Sequence, residues 1–278
     1  MAEKLRFLDL FSGIGAYSLG LRRAGMACAA HVEIDPWCQD LLRQNFPETP
    51  ILGDVRDVDF TSIEADVIIG GFPCQDISNA GRGAGITGER SRLFWEMVRA
   101  IRVVRPVFAI VENVASLLDR GRGMGVVLGA LADERYDTEW DCISLDQLGA
   151  PHGRERVWIT VTDCHCGKRT DGCCASVRWW ERGTQESGQI ATDTDRNWQP
   201  QPPRVFGEVR RRIDNGDAGA FWAGDWQAKF EALRRMDVRP PTRLDRVRDS
   251  AAIGHLGNCN PPQIPELIAR AWLETAHA

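Results

Sequence analysis

The feature that most constrains this chain is a regular alternation, over its first 160 residues, of short apolar runs with segments of helical spacing. Residues 5–11, 28–33, 51–55, 67–71 and 107–111 read as strands, and the run Val67-Ile68-Ile69-Gly70-Gly71 is of the fully buried type. Between them, the segment from Gly15 to about Ala24, residues 36–45 and residues 91–104 repeat apolar positions at helical intervals; Leu93, Met97, Val98 and Ile101 share one face. A helix near 126–133 and strands near 138–145 and 157–162 complete the series. Strands separated by helices of this length predict an α/β fold, a doubly wound and mostly parallel sheet. After Asp163 the pattern dissolves into a stretch rich in Gly, Pro, Arg and Trp, with one convincing helix at 226–236, and a last helix follows at 264–273. The pattern thus separates residues 1–162 from an irregular stretch at 163–249, with residues 250–278 after it.

Composition excludes several classes. Hydrophobic residues at 43% and charged residues at 26% match an ordinary globular protein rather than a disordered one. No run of 18 apolar residues is present, so no membrane helix is expected, and the opening Met-Ala-Glu-Lys-Leu-Arg lacks a signal-peptide layout. These features predict a cytoplasmic protein with no membrane partner. The nine cysteines are odd in number and irregularly spaced, which predicts reduced thiols rather than a disulfide framework. A net charge of −5 hides a gradient: residues 1–150 carry −7 and residues 151–250 carry +3. Only Lys4, Lys168 and Lys229 among the 34 basic residues are lysine. Arginine suits bidentate contacts to phosphates and bases, although a GC-rich coding bias produces the same excess.

Four segments carry chemistry. Phe11-Ser12-Gly13-Ile14-Gly15 follows the first strand, and its glycines allow backbone to approach a ligand at a helix N-terminus. The full dinucleotide pattern is missing, because Ser18 stands where a third glycine would be. Glu33 and Asp54 end the next two strands, where a carboxylate accepts from ribose hydroxyls or serves simply as a solvent-facing acid. Together the three loops describe a nucleoside pocket. In Gly71-Phe72-Pro73-Cys74-Gln75 a cysteine lies just past a buried strand, where a thiol can be exposed and ionised; Cys28 and Cys142 fit the role of small buried hydrophobes better. Glu112, in Glu112-Asn113-Val114, is an acid at the end of a central strand, a costly placement without a partner or a task. Arg154 and Arg156 alternate with Glu155, so both can point to one face.

In this order, the glycine loop, Pro73-Cys74-Gln75, Glu112-Asn113-Val114, Arg154-Glu155-Arg156 and Gly257-Asn258 resemble the motifs of the C5-cytosine DNA methyltransferases of bacterial or phage type. The likeness covers residues 5–162 and returns at about 250–275. It implies S-adenosyl-L-methionine as methyl donor, S-adenosylhomocysteine as product and duplex DNA as substrate. Cys74 matches the nucleophile that adds to C6 of cytosine, and Glu112 the acid at N3. Arg156 matches the arginine at O2, with Arg154 supporting it and Asn113 beside the acid. Phe11, Gly13, Gly15, Glu33, Ile34, Asp54, Val55, Pro73, Leu93 and Asn258 match cofactor-pocket positions. Gln75, Ser78 and Arg82 fall where the family approaches DNA, in or before the glycine-rich stretch 81–88 that resembles its closing loop. The target base would be flipped out of the duplex.

Residues 163–249 correspond to the family's target-recognition region and match nothing specific in it. Arg210, Arg211 and Arg212 are its candidate phosphate contacts, a solvated loop being the alternative. Cys164, Cys166, Cys173 and Cys174, with His165, form a cysteine cluster without standard zinc spacing, so free thiols are the preferred reading. The family usually has Gln where His152 stands and Val where Asn260 stands, and both positions read as peripheral to the covalent chemistry. Arg243-Leu244-Asp245-Arg246-Val247 is the best counterpart of the motif before the last helix. The resemblance further implies a monomer and a possible cognate restriction endonuclease. A tRNA cytosine methyltransferase, a silent DNA-binding protein on the same scaffold and, more remotely, a nicotinamide-dependent oxidoreductase are the competing readings. The intact set Cys74, Glu112, Arg154 and Arg156 argues against the silent scaffold.

Overall fold

The computed structural model describes residues 4–73, 93–119, 123–148, 153–163, 204–215 and 260–277. Seven strands form one sheet: β1 (Arg6–Leu10), β2 (Ala27–Val32), β3 (Ile51–Leu52), β4 (Val67–Gly71), β5 (Phe108–Val114), β6 (Tyr136–Ser144) and β7 (Glu155–Asp163). Their spatial order is β3-β2-β1-β4-β5-β7-β6. β1 to β5 are mutually parallel, and β7 inserts antiparallel between β5 and β6. The expected doubly wound, mostly parallel sheet is thus present, with helices on both faces.

Strand alternation assigns side chains to the two faces. Leu8, Ile68, Ala109, Val111, Val157 and Ile159 face a core completed by α3 (Leu93–Val104) and α4 (Met124–Asp133). Phe7, Val67, Ile69, Phe108, Ile110 and Trp158 face a second core, closed by α1 (Ala16–Arg23), α5 (Arg204–Asp214) and α6 (Gln263–His277). The remaining helix, α2 (Pro36–Asn45), starts where the sequence predicts. Asp35 caps it by accepting from the Cys38 amide at 3.0 Å, and Pro36 fits the first turn, whose amide needs no partner. The strand expected at 51–55 is shorter, because the Asp54 side chain caps a 3-10 turn at Val55–Asp57 and ends the extended backbone.

α1 and α6 approach closely because Gly20 has no side chain. A Cβ there would lie 2.3 Å from the Pro262 carbonyl oxygen, so the segment leading into α6 runs directly over α1. This contact brings the C-terminal part of the chain beside the sheet face that carries Trp158.

Residues 204–214, assigned from sequence to the target-recognition region, form α5 on the large sheet. Val205, Phe206 and Val209 are buried with Phe108, Ile268 and Trp272, and the rings of Phe108 and Trp272 stack at 4.4 Å. The apolar spacing of these residues makes one face of the helix a core face, which is why it docks there. The helix expected at 226–236 and the motif at 243–247 lie outside the described residues. Among the described residues no helix is long and apolar enough to cross a membrane. Phe206→Ala is expected to lower unfolding free energy in urea by about 3–5 kcal/mol, as for other fully buried aromatics; an unchanged midpoint would mean that α5 is not docked.

Candidate active site

Every residue singled out by chemistry that the structure describes, apart from the α5 arginines, comes from one edge of the sheet. The chain runs outward from β1 to β3, then returns to β4, so a crevice opens at the carboxyl ends of β1 and β4, where such folds bind ligands. Glu112 reaches the same edge from β5. Because β7 runs antiparallel, its first residues rather than its last arrive there. Glu112 lies opposite Trp158, and Arg156, two positions along from Trp158, shares its face. Reversal of one strand thus delivers an arginine to a carboxylate.

The Glu112 carboxyl is buried, with 8% of the residue exposed. Its Oε1 lies 3.1 Å from Arg156 Nε, and its Oε2 accepts from the Tyr17 hydroxyl of α1 at 3.0 Å. Tyr17 oxygen in turn accepts from Asn260 Nδ2 at 3.0 Å, and Asn260 Oδ1 accepts from Arg154 Nε at 3.1 Å. Burial pushes the pKa of Glu112 above the ordinary carboxylate range, against the opposing pull of Arg156, Asn260, Tyr17 and Arg154. The carboxyl fits only because Gly71, its neighbour on β4, lacks a side chain: a Cβ there would stand 2.5 Å from Oε2 and 2.9 Å from the Tyr17 hydroxyl.

Asn113, grouped from sequence with the reacting residues, is buried and works on backbone. Its Nδ2 donates to the Phe72 carbonyl at 3.1 Å and its Oδ1 accepts from the Val114 amide at 2.9 Å. It therefore ties the end of β5 to the segment that runs through Pro73 into Cys74. Cys74 itself lies outside the described residues, as do Gln75, Ser78, Arg82, Asn258 and the cysteines Cys164, Cys166, Cys173 and Cys174. Among the described residues no group of His, Cys, Asp or Glu could hold a metal ion. Cys28 is partly buried against the second core, and that burial, followed by the nearby Asp9, pushes its thiol up to about 12. Burial likewise raises Cys142.

Around the crevice lie the described residues that the resemblance assigns to a cofactor pocket. Phe11 and Gly13 adopt left-handed backbone at φ 57° and 52°, which turns the chain sharply off β1. A Cβ at Gly13 would meet nothing within 4 Å, so its surface is open, whereas one at Gly15 would strike the Phe46 ring at 2.5 Å. Gly13 thus faces space for a ligand, and Gly15 serves packing. The Glu33 carboxylate accepts from the amides of Gly13 at 2.7 Å and Asp35 at 2.8 Å, locking two loops to each other. Its neighbour Ile34 is 62% exposed, an apolar side chain left uncovered at the pocket rim. Asp54 is held by the Arg56 side chain and amide, which lower it to about 2. Val55 is buried, while Pro73 and Leu93 are half-buried. Open glycine backbone, an uncovered isoleucine and the carboxyl groups of Glu33 and Asp54 fit an adenosyl group, whose ring needs apolar cover and whose hydroxyls and amine need acceptors.

The structure does not bring Arg210, Arg211 and Arg212 to this edge as free cations. Arg210 is bidentate to Asp141 at 2.5 and 2.8 Å. Arg211 pairs with Glu208, and Arg212 bridges Glu208 at 3.0 Å and Glu274 at 2.5 Å. Helical spacing explains two of the pairs, since Glu208 stands one turn before both arginines. Sequence reasoning missed Tyr17 and set Asn260 aside as peripheral. The signal was a tyrosine on the buried face of α1, together with an asparagine at a position where valine is usual. In Glu112→Gln the stability advantage over wild type should grow as pH rises above about 4.5. A raised folded-state pKa stabilises at low pH and is lost as the buried group ionises. Parallel pH–stability curves for the two proteins would contradict the assigned shift.

With this geometry in place, comparison with known proteins is informative. Residues 5–171 match the family model for C-5 cytosine-specific DNA methylase. Type II methyltransferase M.DsaV of Dactylococcopsis salina is 36% identical over 160 residues, covering 56% of this chain and 45% of that protein. M.HhaI of Haemophilus parahaemolyticus is 32% identical over 158 residues, covering 56% and 48%. M.AquIA of Picosynechococcus is 31% identical over 179 residues, covering 57% and 71%. The chain spans less than half the length of M.DsaV and M.HhaI. The Entamoeba histolytica methyltransferase EhMeth, at 17% identity and a TM-score of 0.51 over 58% of this chain and 53% of its own, shares the fold. The matched span holds β1 to β7 and with them Glu112, Arg154 and Arg156, so this chain belongs to the C-5 cytosine-specific DNA methylase family.

Proposed function

We propose that the chain is a DNA (cytosine-5-)-methyltransferase acting on a flipped-out cytosine within a short duplex sequence. The observation that carries this reading is the buried Glu112, held by Arg156 at the edge where β4 runs on toward Cys74. C5 of cytosine is a weak nucleophile, and addition of a thiolate to C6 overcomes this by making the ring an enamine-like nucleophile. Cys74 is assigned that addition. As the C6–S bond forms, charge develops at N3 and O2. Glu112 donates a proton toward N3 and Arg156 a hydrogen bond toward O2, and Arg154 supports the pair. A raised pKa suits Glu112 for this work, since an ionised carboxylate has no proton to offer.

S-adenosylmethionine, cradled by Phe11, Gly13, Glu33, Ile34 and Asp54, would supply the methyl group that C5 accepts, leaving S-adenosylhomocysteine. Loss of the C5 proton then returns its electron pair to the ring and expels the Cys74 thiolate, restoring the enzyme. Burial of Glu112 keeps water from competing for the base edge. Residues 163–249, apart from the docked α5, are proposed to read the target sequence. A monomeric, cytoplasmic enzyme working on double-stranded DNA, with a companion endonuclease, fits the Type II relatives.

Bisulfite sequencing of plasmid from a host without cytosine methylation tests the reading. Protected cytosines in one recurring context are expected on expression, and none with Cys74→Ser. Protection restricted to tRNA would redirect the substrate. Cys74→Ser should bind S-adenosylmethionine within about twofold of wild type, whereas Glu33→Ala should weaken it by tenfold or more, on the order of 1.5–3 kcal/mol for hydrogen bonds to a charged group. Calorimetric titration checks both.

A further inference from the structure

We propose that Tyr17 and Asn260 are positioning residues that hold the Glu112 carboxyl and set the pH at which it gives up its proton. The inference rests on the reading of Glu112 as the acid at N3. The hydrogen-bond directions follow from one group. Arginine can only donate, so Arg154 Nε at 3.1 Å requires the carbonyl oxygen of Asn260 to face it, which turns the Asn260 NH₂ toward Tyr17. That NH₂ donates to the Tyr17 oxygen at 3.0 Å and directs the hydroxyl hydrogen toward Glu112 Oε2, also at 3.0 Å. Oε2 is thereby committed as an acceptor. Both oxygens of Glu112 thus face a donor, Oε2 the Tyr17 hydroxyl and Oε1 the Arg156 Nε at 3.1 Å, so the Tyr17–Asn260 pair bears directly on how readily the carboxyl ionises.

Both groups are unexpected where they stand. Tyr17 is 8% exposed on a helix whose other core residue at the site, Leu21, is apolar, and Asn260 is 3% exposed at a position where valine is usual. The cost of burying an amide and a hydroxyl is offset because each satisfies the other. The Tyr17 ring meets Trp158 edge-on at 5.8 Å, so its packing is separable from its hydroxyl.

The groups facing Glu112 are Arg156 from β7, Arg154 from the segment before it, Tyr17 from α1, Asn260 from the segment before α6 and the backbone of Gly71 from β4. Removing the Tyr17 hydroxyl takes a donor from the carboxylate but leaves the neutral acid with little change, so the proton is held to higher pH.

The test is a pH titration of the Glu112 carboxyl by infrared spectroscopy, its band identified by its loss in Glu112→Gln, alongside the pH dependence of methylation. Tyr17→Phe is expected to raise the Glu112 midpoint by about one pH unit, the equivalent of one hydrogen bond to a charged group. The alkaline limb of kcat should move with it. Asn260→Val, the second variant should Tyr17→Phe fail to fold, should shift both in the same direction by at least as much, since Asn260 acts on the carboxyl as well as on Tyr17. A fall in kcat at every pH with unmoved midpoints would show a merely structural role and overturn the proposal. If the wild type methylates nothing, the infrared midpoints still decide it, and only the functional reading fails.

Discussion

The ion pair between Glu112 and Arg156 is the interaction on which the rest of the site depends. A carboxylate placed alone at the end of a central strand would have to be neutralised or abandoned, because the interior does not solvate charge. Here the antiparallel β7 supplies a guanidinium at 3.1 Å from the same sheet face. The geometry of β7 and the chemistry of β5 are therefore bound to each other. Gly71 is a consequence: the carboxyl occupies the volume that any β4 side chain would need.

A second set of constraints holds the glycine loop. Glu33 accepts from the amides of Gly13 and Asp35, while Ser12 donates to the Asp9 carbonyl at 2.7 Å and accepts from the Val32 amide at 3.2 Å. These bonds impose the left-handed backbone at Phe11, a conformation a phenylalanine adopts only when its surroundings demand it. Beneath the loop, Ser18 donates to the buried Asp9 carboxylate at 2.6 Å and lies 3.3 Å from His31 Nδ1. The serine standing in place of a third dinucleotide glycine is thus a structural partner of β1. Pocket and support are linked: the strand that ends in Phe11 carries the acid that anchors α1, and α1 carries Tyr17.

Much of this was legible in the sequence, and what was not has physical causes. Period-two apolar runs and helical spacing gave the strands and helices close to their observed bounds, because burial on one face or both leaves its pattern in the order of residues. Glu112, Arg154 and Arg156 could be picked out because charge at the end of a buried strand contradicts its surroundings. Asn113 was placed among the reacting groups, yet it grips the Phe72 carbonyl; a side chain's choice between ligand and backbone has no sequence signature. The α5 arginines read as phosphate contacts because Asp141 and Glu274, which bind Arg210 and Arg212, lie 69 and 62 residues away in the chain.

By itself, then, the sequence determined the elements of the first 163 residues and the sheet class, and singled out Glu112, Arg154 and Arg156, since each follows from local periodicity or from a residue at odds with its neighbours; α5 it did not show. Tertiary structure alone decided that β7 reverses direction so that Arg156 meets Glu112. It also decided that α5 belongs to the large sheet, and that Asn260, 243 residues from Tyr17, closes a hydrogen-bonded chain onto the Glu112 carboxyl. Those outcomes depend on contacts between distant segments, and distance along a chain carries no record of proximity in space.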